Sequence, residues 1–388
     1  MDRWFDNLLP DSDVIRARLS ARHRVDARDA HALLGAIGRD CVGAIQLTPD
    51  GVDPGRVDEI AYRTLTAADV ASRLLSVPGA RPFGSPVEFD DDLRISIAGA
   101  QEKTALLWHD ERWCVPEGNT PTTHIFKLPL GDITVLKANF SASVENEWLC
   151  LTLLRTMGLP VAESEIGRFP GLQGDVSALI VKRFDRQHTV TGGRPWIARL
   201  PQEDCCQVSG TPSSLKYEHD GGPGIERILG VLASSETAHA DASVFVRAQL
   251  AFWLLAARRG HAKNFSIALH AGGRYTLTPL YDVLSAWPII GPGAKEWHVS
   301  KVQPAMGVRW KSGLQLHLRK IHVEHWQRLA LTTGVPRLFE AMVAMVEAVP
   351  ATLATVEPQL PSDFPPLVWE RIREGMLAQR TRFLAAVA

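Results

Sequence analysis

The chain has 388 residues, 45% of them hydrophobic and 22% charged, a composition typical of a globular protein large enough for two domains. Its formal net charge of −1 excludes a globally basic nucleic-acid binder. The acidic start, MDRWFDNLLPDSD, is not a signal peptide, and the apolar run at 250–257 is too short to span a membrane. We therefore expect a cytoplasmic protein without a membrane segment, with reduced thiols at Cys41, Cys114, Cys150, Cys205 and Cys206.

Helix patterns dominate the first 80 residues. Three amphipathic segments are each preceded by a residue type that caps helix N-termini. Their expected spans are 13–23, 30–37 and 67–75, with Asp11 or Ser12, then Asp29, then Thr66 as the respective caps.

Strand patterns follow, interrupted by one helix pattern at 142–157. The expected strands are 94–99, 103–109, 111–116, 123–129 and 177–183. The small residues between the first two strands offer backbone N–H groups that can cradle phosphates, although a plain hairpin is the simpler interpretation. Lys127 either reaches nucleotide phosphates, as a kinase lysine does, or faces solvent.

The second half is largely helical, with one hairpin. A helix pattern over 238–259 ends at Gly260, and two strands at 265–269 and 275–280 flank a glycine turn. Pairing these strands brings Asn264 and Asp282 into one small volume. An amide oxygen beside a carboxylate is the pair that holds Mg²⁺ against nucleotide phosphates, although spacing alone favours a turn residue and a cap.

These patterns predict an α+β chain of two lobes. The N-lobe is expected at 1–185, with a helical segment at 1–80 followed by a β-rich nucleotide-binding part. The helical C-lobe is expected at 186–388 and holds the catalytic and metal-binding loops, with further helices at 225–232, 323–332, 337–349 and 367–387.

Several motifs resemble those of one family, the HipA serine/threonine kinase toxins of bacterial toxin–antitoxin systems. The resemblance is carried by GHAKNFS at 260–266, LTPLYD at 277–282, RISIAGAQEKTALL at 94–107, TPTTHIFKLP at 120–129, RFDR at 183–186, LPQEDCCQ at 200–207 and KYEHDGGPGI at 216–225. It implies a protein-kinase-like fold with a strand-rich N-lobe and a helical C-lobe, and it implies ATP and Mg²⁺ as cofactors.

The resemblance also implies roles for individual residues. ATP binding is assigned by resemblance to Ala98, Gly99, Ala100, Gln101, Glu102, Lys103, Lys127, Lys182, Arg183, Phe184, Tyr281 and Asp282. The catalytic loop corresponds to Arg259, His261, Lys263 and Asn264, and the metal ligands to Asn264 and Asp282. Ser96 corresponds to a serine whose autophosphorylation switches the kinase off.

Arg259 departs from the family pattern, because the family has its catalytic aspartate at that position. Arginine cannot accept a proton at neutral pH, so kinase activity is expected to be weakened or lost. Arg258 stands where threonine is common, and Lys182 where glutamate is frequent. The alternative is a pseudokinase or detoxified binding module that holds ATP, an antitoxin and operator DNA.

The family also implies partners. These are an antitoxin with a helix-turn-helix fold, operator DNA contacted mainly through that antitoxin, and a protein substrate of the aminoacyl-tRNA synthetase type. The chain starts inside the family's usual N-terminal region, so we expect a small companion protein to supply a β-rich subdomain. Growth arrest is the expected effect of an active member.

Overall fold

The computed structural model describes residues 2–76, 101, 103–133, 138–172, 174–293, 296–311 and 313–387. The α-helices are α1 (Asp2–Asp6), α2 (Asp13–His23), α3 (Ala30–Ile37), α4 (Ala67–Ser76), α5 (Ser143–Thr156), α6 (Cys205–Val208), α7 (Ile225–Leu232), α8 (Ala238–Leu254), α9 (Val323–Thr332), α10 (Leu338–Glu347), α11 (Val349–Val356) and α12 (Pro366–Leu384).

The strands are mostly short. They are β1 (Ala61–Thr64), β2 (Lys103–His109), β3 (Arg112–Glu117), β4 (His124–Lys127), β5 (Gly131–Ile133), β6 (Ala138–Phe140), β7 (Ser164–Gly171), β8 (Gly174–Lys182), β9 (Arg186–Thr191), β10 (Arg194–Arg199), β11 (Gln202–Asp204), β12 (Ser266–Leu269), β13 (Tyr275–Leu277), β14 (Val308–Trp310) and β15 (Gly313–Gln315).

The chain divides into two compact units. Unit 1 comprises Met1–Pro129, Ala162–Glu203 and Gly210–Ser214, and unit 2 comprises Leu130–Val161, Asp204–Ser209 and Leu215–Ala388. Unit 1 holds the large sheet, and unit 2 holds most of the helices. The helix α5 belongs to unit 2, although it lies in the first half of the sequence.

Unit 1 is built on a six-stranded antiparallel sheet in the order β1-β3-β2-β4-β8-β7. Side chains alternate between the two faces of a strand, so Phe126 and Ile180, which are paired across β4 and β8, share one face. Val70 and Leu74 of α4 belong to the same buried cluster as these two side chains. This packing explains why the amphipathic pattern at 67–75 forms a helix.

The N-terminal helices begin where the sequence predicts. Ser12 accepts a hydrogen bond from the backbone N–H of Ile15, and Asp29 accepts one from Ala32. Leu8, Leu33 and Leu34 are buried in a small separate core. The predicted caps of α2 and α3 are therefore confirmed.

Unit 2 has one large hydrophobic core centred on α8. Phe245 and Trp253 of α8 are buried, and α5, α7 and α9 to α12 contribute side chains to the same core. In the part of the chain that the structure describes, no single helix is long and apolar enough to cross a membrane, while α10 and the helical stretch 349–359, bent by 51°, meet that test only as a pair.

Two features differ from the sequence patterns. The helix α8 ends at Leu254, not at Arg259, because Ala256 adopts a left-handed conformation (φ +49°) and Ala257 forms a β-bridge with Ser285. The hairpin of β9 and β10 lies in a region expected to be helical. The sequence feature that indicates this hairpin is the pair Gly192 and Gly193. Both glycines have positive φ, as the central residues of a two-residue hairpin turn commonly do.

Candidate active site

The catalytic turn, residues 255–264, is fixed on both sides by packing. After α8, the backbone N–H of Ala257 donates to the carbonyl of Phe252 at 2.8 Å. A Cβ atom on Gly260 would lie 2.5 Å from ring carbon Cδ2 of Phe252, so only glycine fits this close approach. The backbone N–H of His261 donates to the carbonyl of Arg259 at 2.8 Å. The turn therefore holds its side chains on a defined backbone.

The hairpin of β12 and β13 places the metal turn, residues 280–285, beside the catalytic turn. Ile267 pairs with Leu277, and the backbone N–H of Thr278 donates to the carbonyl of Ser266 at 2.9 Å. Asn264 Nδ2 donates to Asp282 Oδ2 at 2.8 Å. The proximity of Asn264 and Asp282 predicted from the hairpin is thus observed.

Asp282 has unusual backbone geometry. Its φ is +58°, in the left-handed region that non-glycine residues rarely adopt, although aspartate tolerates it better than most. Such a conformation persists only where surrounding contacts maintain it, and it is frequent at functional sites. The conformation therefore supports a functional role for this turn.

Arg259 pairs with the same carboxylate. Its Nη2 lies 3.8 Å from Asp282 Oδ2, and the two side chains are 24% and 17% exposed. The neighbouring guanidinium, that of Arg258, lies 4.4 Å from the ring centroid of Trp297, in cation–π geometry. Burial lowers the pKa of Arg258, with Tyr217 opposing that effect. The two adjacent arginines thus contact two different parts of the segment after β13.

The oxygen donors at this site partly fit a divalent metal. Among the residues that the structure describes, Asn264 Oδ1 is buried without a hydrogen-bond partner, and the Asp282 carboxylate lies beside it. This amide and carboxylate pair suits Mg²⁺. The Arg259 guanidinium on Asp282 opposes a second cation there. Within the same described ranges, no cluster of three or more His, Cys, Asp or Glu side chains is arranged to hold a metal.

Three further predicted residues have internal contacts. The His261 ring packs edge-on against Tyr217 at 4.9 Å, and Lys263 Nζ lies 3.8 Å from Asp204 Oδ2. The Tyr281 hydroxyl donates to the carbonyl of Lys263 at 2.9 Å and lies 2.6 Å from the Ser266 hydroxyl. Burial raises the pKa of Tyr281 well above its usual value, although the Ser266 hydrogen bond lowers it. These contacts hold the catalytic turn and the metal turn in place.

Sequence patterns gave no signal for Asn146, which anchors the metal turn. Asn146 of α5 exchanges two hydrogen bonds with the backbone of Ser285, both of 2.9 Å. The Ser285 hydroxyl donates to the carbonyl of Leu255 at 2.7 Å. Asn146 and Ser285 therefore join the helix α5, the metal turn and the end of α8.

Unit 1 contains the predicted ATP lysine. Lys127 is buried on β4, directly opposite Lys103 of β2 and Leu179 of β8. The register therefore puts the Lys127 and Lys103 side chains on one face of the sheet. Gln101 is buried and donates to the carbonyl of Leu128 at 2.8 Å. The other predicted loop residues, Ser96, Ala98, Gly99, Ala100 and Glu102, lie outside the described residues.

Lys182 lies on the other face of this sheet. It pairs with His124, three residues from Lys127 on β4, so the two lysine side chains point to opposite faces. Lys182 Nζ lies 3.0 Å from Glu163. A cavity of about 480 Å³ is lined on this face by Trp108, Thr123, His124, Ile180 and Lys182, among others. The half-buried Phe184 follows two residues later.

Arg183 belongs to a closed network of ions, formed by Asp40, Arg183, Asp185, Arg186 and Arg199 together with the Thr122 hydroxyl. Arg183 binds Asp185 through two hydrogen bonds of 3.0 and 2.9 Å, and it reaches Asp40 at 3.2 Å. Arg186 donates to Asp40 at 2.8 Å. Burial alone would raise the pKa of Asp40, but Arg183, Arg186 and Arg199 hold it below its usual value. The Arg183 side chain therefore has a structural role in joining distant segments.

All five cysteines are buried free thiols. Burial raises the pKa of Cys41 to about 12, with Asp40 adding to that effect. Such thiols are structural and unreactive.

Comparison with known proteins identifies the family. The sequence profile of the HipA-like C-terminal domain matches residues 95–353, and that of the HipA N-terminal domain matches residues 1–48. The chain is 28% identical over 291 residues to the serine/threonine-protein kinase toxin HipA of Shewanella oneidensis, covering 72% of this chain but under two thirds (61%) of that protein. It is 29% identical over 360 residues to Y4mE of Sinorhizobium fredii, a protein named as a candidate kinase, with coverage of 91% and 78%.

Similarity to a solved structure extends over the whole chain. That structure is a chain from the complex of Shewanella oneidensis MR-1 HipA, HipB and operator DNA, with a TM-score of 0.77 and 25% identity, covering 100% of this chain and 86% of that chain. The α+β fold, with its strand-rich unit and its helical unit, is thus of the protein-kinase-like class, as predicted. The chain belongs to the HipA family, because the matched profile covers more than half of it. The family prediction is confirmed.

Proposed function

We propose that this chain is the toxin component of a toxin–antitoxin pair, a serine/threonine-protein kinase by family whose phosphoryl transfer is weakened or lost. One observation carries the proposal: the Asn264–Asp282 pair of a kinase site is intact, and the Arg259 guanidinium lies 3.8 Å from its carboxylate. The named relative is a serine/threonine-protein kinase toxin. In this proposal the site is a kinase site in which the cation Arg259 stands where the family has a carboxylate.

The chain's own residues supply only part of the chemistry. In kinases a divalent metal neutralises charge between the nucleotide phosphates, and Asn264 and Asp282 are the oxygen donors that would hold it. By family resemblance, Lys127 and Lys103 of unit 1 are assigned to the phosphates of ATP, and the two residues are paired across β2 and β4. A carboxylate that accepts or orients the substrate hydroxyl proton is lacking at 259, and arginine only donates hydrogen bonds. A positioned proton acceptor contributes about 10²- to 10⁴-fold in rate.

The alternative function is a binding module, a pseudokinase that holds ATP, an antitoxin and operator DNA. It is favoured by the same ion pair, because Arg259 removes the proton acceptor while the rest of the site stays formed. For either function we place the protein in the cytoplasm, with a helix-turn-helix antitoxin as partner. The structural relative was solved with HipB and operator DNA. A kinase would act on a protein of the aminoacyl-tRNA synthetase type.

Growth on expression separates the two functions. We expect little growth arrest from the natural chain, strong arrest from Arg259→Asp, and none from Arg259→Asp combined with Asp282→Asn. Arg274→Ala is the matched control, because Arg274 is an exposed arginine in the hairpin turn, paired with Glu236. The measurement is the growth rate after induction, with and without the co-expressed antitoxin.

Two results would contradict the proposal. Arrest by the natural chain as strong as that by Arg259→Asp would show that Arg259 does not weaken the toxin. No arrest by Arg259→Asp, in cells where the variant is folded and abundant, would favour the binding module over the kinase.

A further inference from the structure

Two side chains, those of Asn264 and Arg259, approach one carboxylate oxygen of Asp282. Asp282 Oδ2 accepts from Asn264 Nδ2 at 2.8 Å and lies 3.8 Å from Arg259 Nη2. The other amide atom, Asn264 Oδ1, is buried and has no hydrogen-bond partner among the described residues. A fixed cation thus lies at a carboxylate that, beside an amide oxygen, would otherwise suit a divalent metal.

The backbone under Arg259 is anchored on both sides. Arg258 lies with its guanidinium 4.4 Å from the ring centroid of Trp297. Gly260 packs against the Phe252 ring at a distance that excludes a side chain. The carbonyl of Arg259 accepts a 2.8 Å hydrogen bond from the N–H of His261. Because neighbours on both sides are held, the backbone of Arg259 is held at a position from which its side chain reaches Asp282.

The charge balance of the site changes with this pairing. A carboxylate without a cation repels nucleotide phosphates, and a divalent metal ordinarily reverses that repulsion. Here the formal charges of Arg259 and Asp282 cancel, so the pair is neutral before any metal is added. The nearby Lys263 and Asp204 form a second neutral pair, 3.8 Å apart. Guanidinium groups also donate forked hydrogen bonds that match phosphate oxygens.

We infer that Arg259 takes the place of the divalent cation, so that this chain binds the phosphates of a nucleoside triphosphate without added metal. The inference rests on the proposed function, because it uses the same nucleotide site. It assigns Arg259 a binding role, in addition to the loss of a proton acceptor. If Arg259 has this role, nucleotide binding by this chain depends less on Mg²⁺ than it would without Arg259.

Calorimetric titration with a non-hydrolysable ATP analogue tests the inference. The natural chain, Arg259→Ala, Arg259→Asp and the control Arg274→Ala are each titrated in Mg²⁺ and in EDTA. We expect the natural chain and the control to bind with affinities that differ by less than about threefold between the two buffers. We expect both Arg259 variants to bind at least about tenfold more weakly in EDTA, or 1.4 kcal/mol. If Arg259→Asp fails to fold, Arg259→Ala alone measures the effect of removing the guanidinium.

Three other outcomes would overturn either this inference or the proposed function. A loss of tenfold or more in the natural chain when Mg²⁺ is removed overturns the inference and leaves the kinase site standing. Equal metal dependence in the natural chain and Arg259→Ala also overturns it. No binding by any of the folded proteins in either buffer overturns the nucleotide site itself, and with it the proposed function.

Discussion

Arginine and aspartate side chains meet in both units, but their surroundings differ. In the closed network of unit 1, Arg183 and Asp185 are 2% and 4% exposed, and Arg183 makes two hydrogen bonds to that carboxylate. In unit 2, Arg259 and Asp282 are 24% and 17% exposed and lie 3.8 Å apart. The neighbouring Asn264 Oδ1 has no hydrogen-bond partner among the residues that the structure describes.

The two pairs differ in hydrogen bonding, because Arg183 makes two hydrogen bonds to Asp185 whereas Arg259 only approaches Asp282. A buried pair with saturated hydrogen bonds is costly to break, because removing one partner strands the other charge. A looser pair beside an unused acceptor can exchange its partner for a ligand at lower cost. Removing one partner is therefore expected to cost more stability at the Arg183–Asp185 pair than at the Arg259–Asp282 pair.

The largest expected effect comes from breaking the closed network. Asp185→Ala leaves Arg183 without its two-point partner, so we expect the free energy of unfolding to fall by about 3–5 kcal/mol. The control is Asp58→Ala, because Asp58 and its partner Arg56 are 40% and 58% exposed. That change should cost far less, because a solvent-exposed ion pair contributes little to stability. Urea unfolding measures both, and equal losses would contradict the distinction.

A second prediction concerns pH. Burial, with Lys182 adding, lowers the pKa of His124 from 6.5 to about 4, so the folded state keeps this histidine neutral. Between these values the unfolded chain binds more protons, so stability falls as pH drops from 6.5 to 4, by about 2–3 kcal/mol. Asp40 has a lowered pKa, so its contribution is lost only at still lower pH, as pH falls through its folded-state pKa.

Urea midpoints at pH 7.5 and pH 5 provide the measurement. His124→Gln should flatten the slope, whereas His239→Gln, at an exposed histidine of α8, should leave it unchanged. An unchanged slope in His124→Gln would assign the pH dependence to other groups.

A smaller effect is expected at the catalytic turn. Gly260→Ala would place a methyl group 2.5 Å from the Phe252 ring, so we expect a loss of about 1–3 kcal/mol and weaker nucleotide binding. Gly230→Ala is the control, because a Cβ atom there meets no atom within 4 Å and the residue lies inside α7. That change should stabilise by about 0.5–1 kcal/mol. Equal changes in the free energy of unfolding for Gly260→Ala and Gly230→Ala would show that the catalytic turn can accommodate a methyl group at 260.

Local signals predicted much of the fold. The caps Ser12 and Asp29 and the hairpin turn at 271–273 act over a few residues, so the sequence shows them directly. The closed network joins Asp40 to Arg183 across more than a hundred positions, and only the folded chain brings them together. The left-handed Ala256 likewise has no local signal, because its conformation depends on the bridge between Ala257 and Ser285.

The candidate site was predictable in part for the same reason. The β12–β13 hairpin brings Asn264 close to Asp282. The sequence spacing of the two strands was therefore sufficient to predict this proximity. The pairing of Arg259 with Asp282 and the anchoring by Asn146 depend on where α8 ends and on α5, which no motif encodes.

Phosphoryl transfer by two purified proteins tests the central claim, that Arg259 disables an otherwise formed kinase site. Each protein, treated with phosphatase and then given ATP and Mg²⁺, is analysed by mass spectrometry for phosphate on Ser96 over time. We expect Arg259→Asp to incorporate phosphate at least about 10²-fold faster than the natural chain, because it regains a proton acceptor. Equal rates in the two proteins, with both folded and binding nucleotide, would contradict the account.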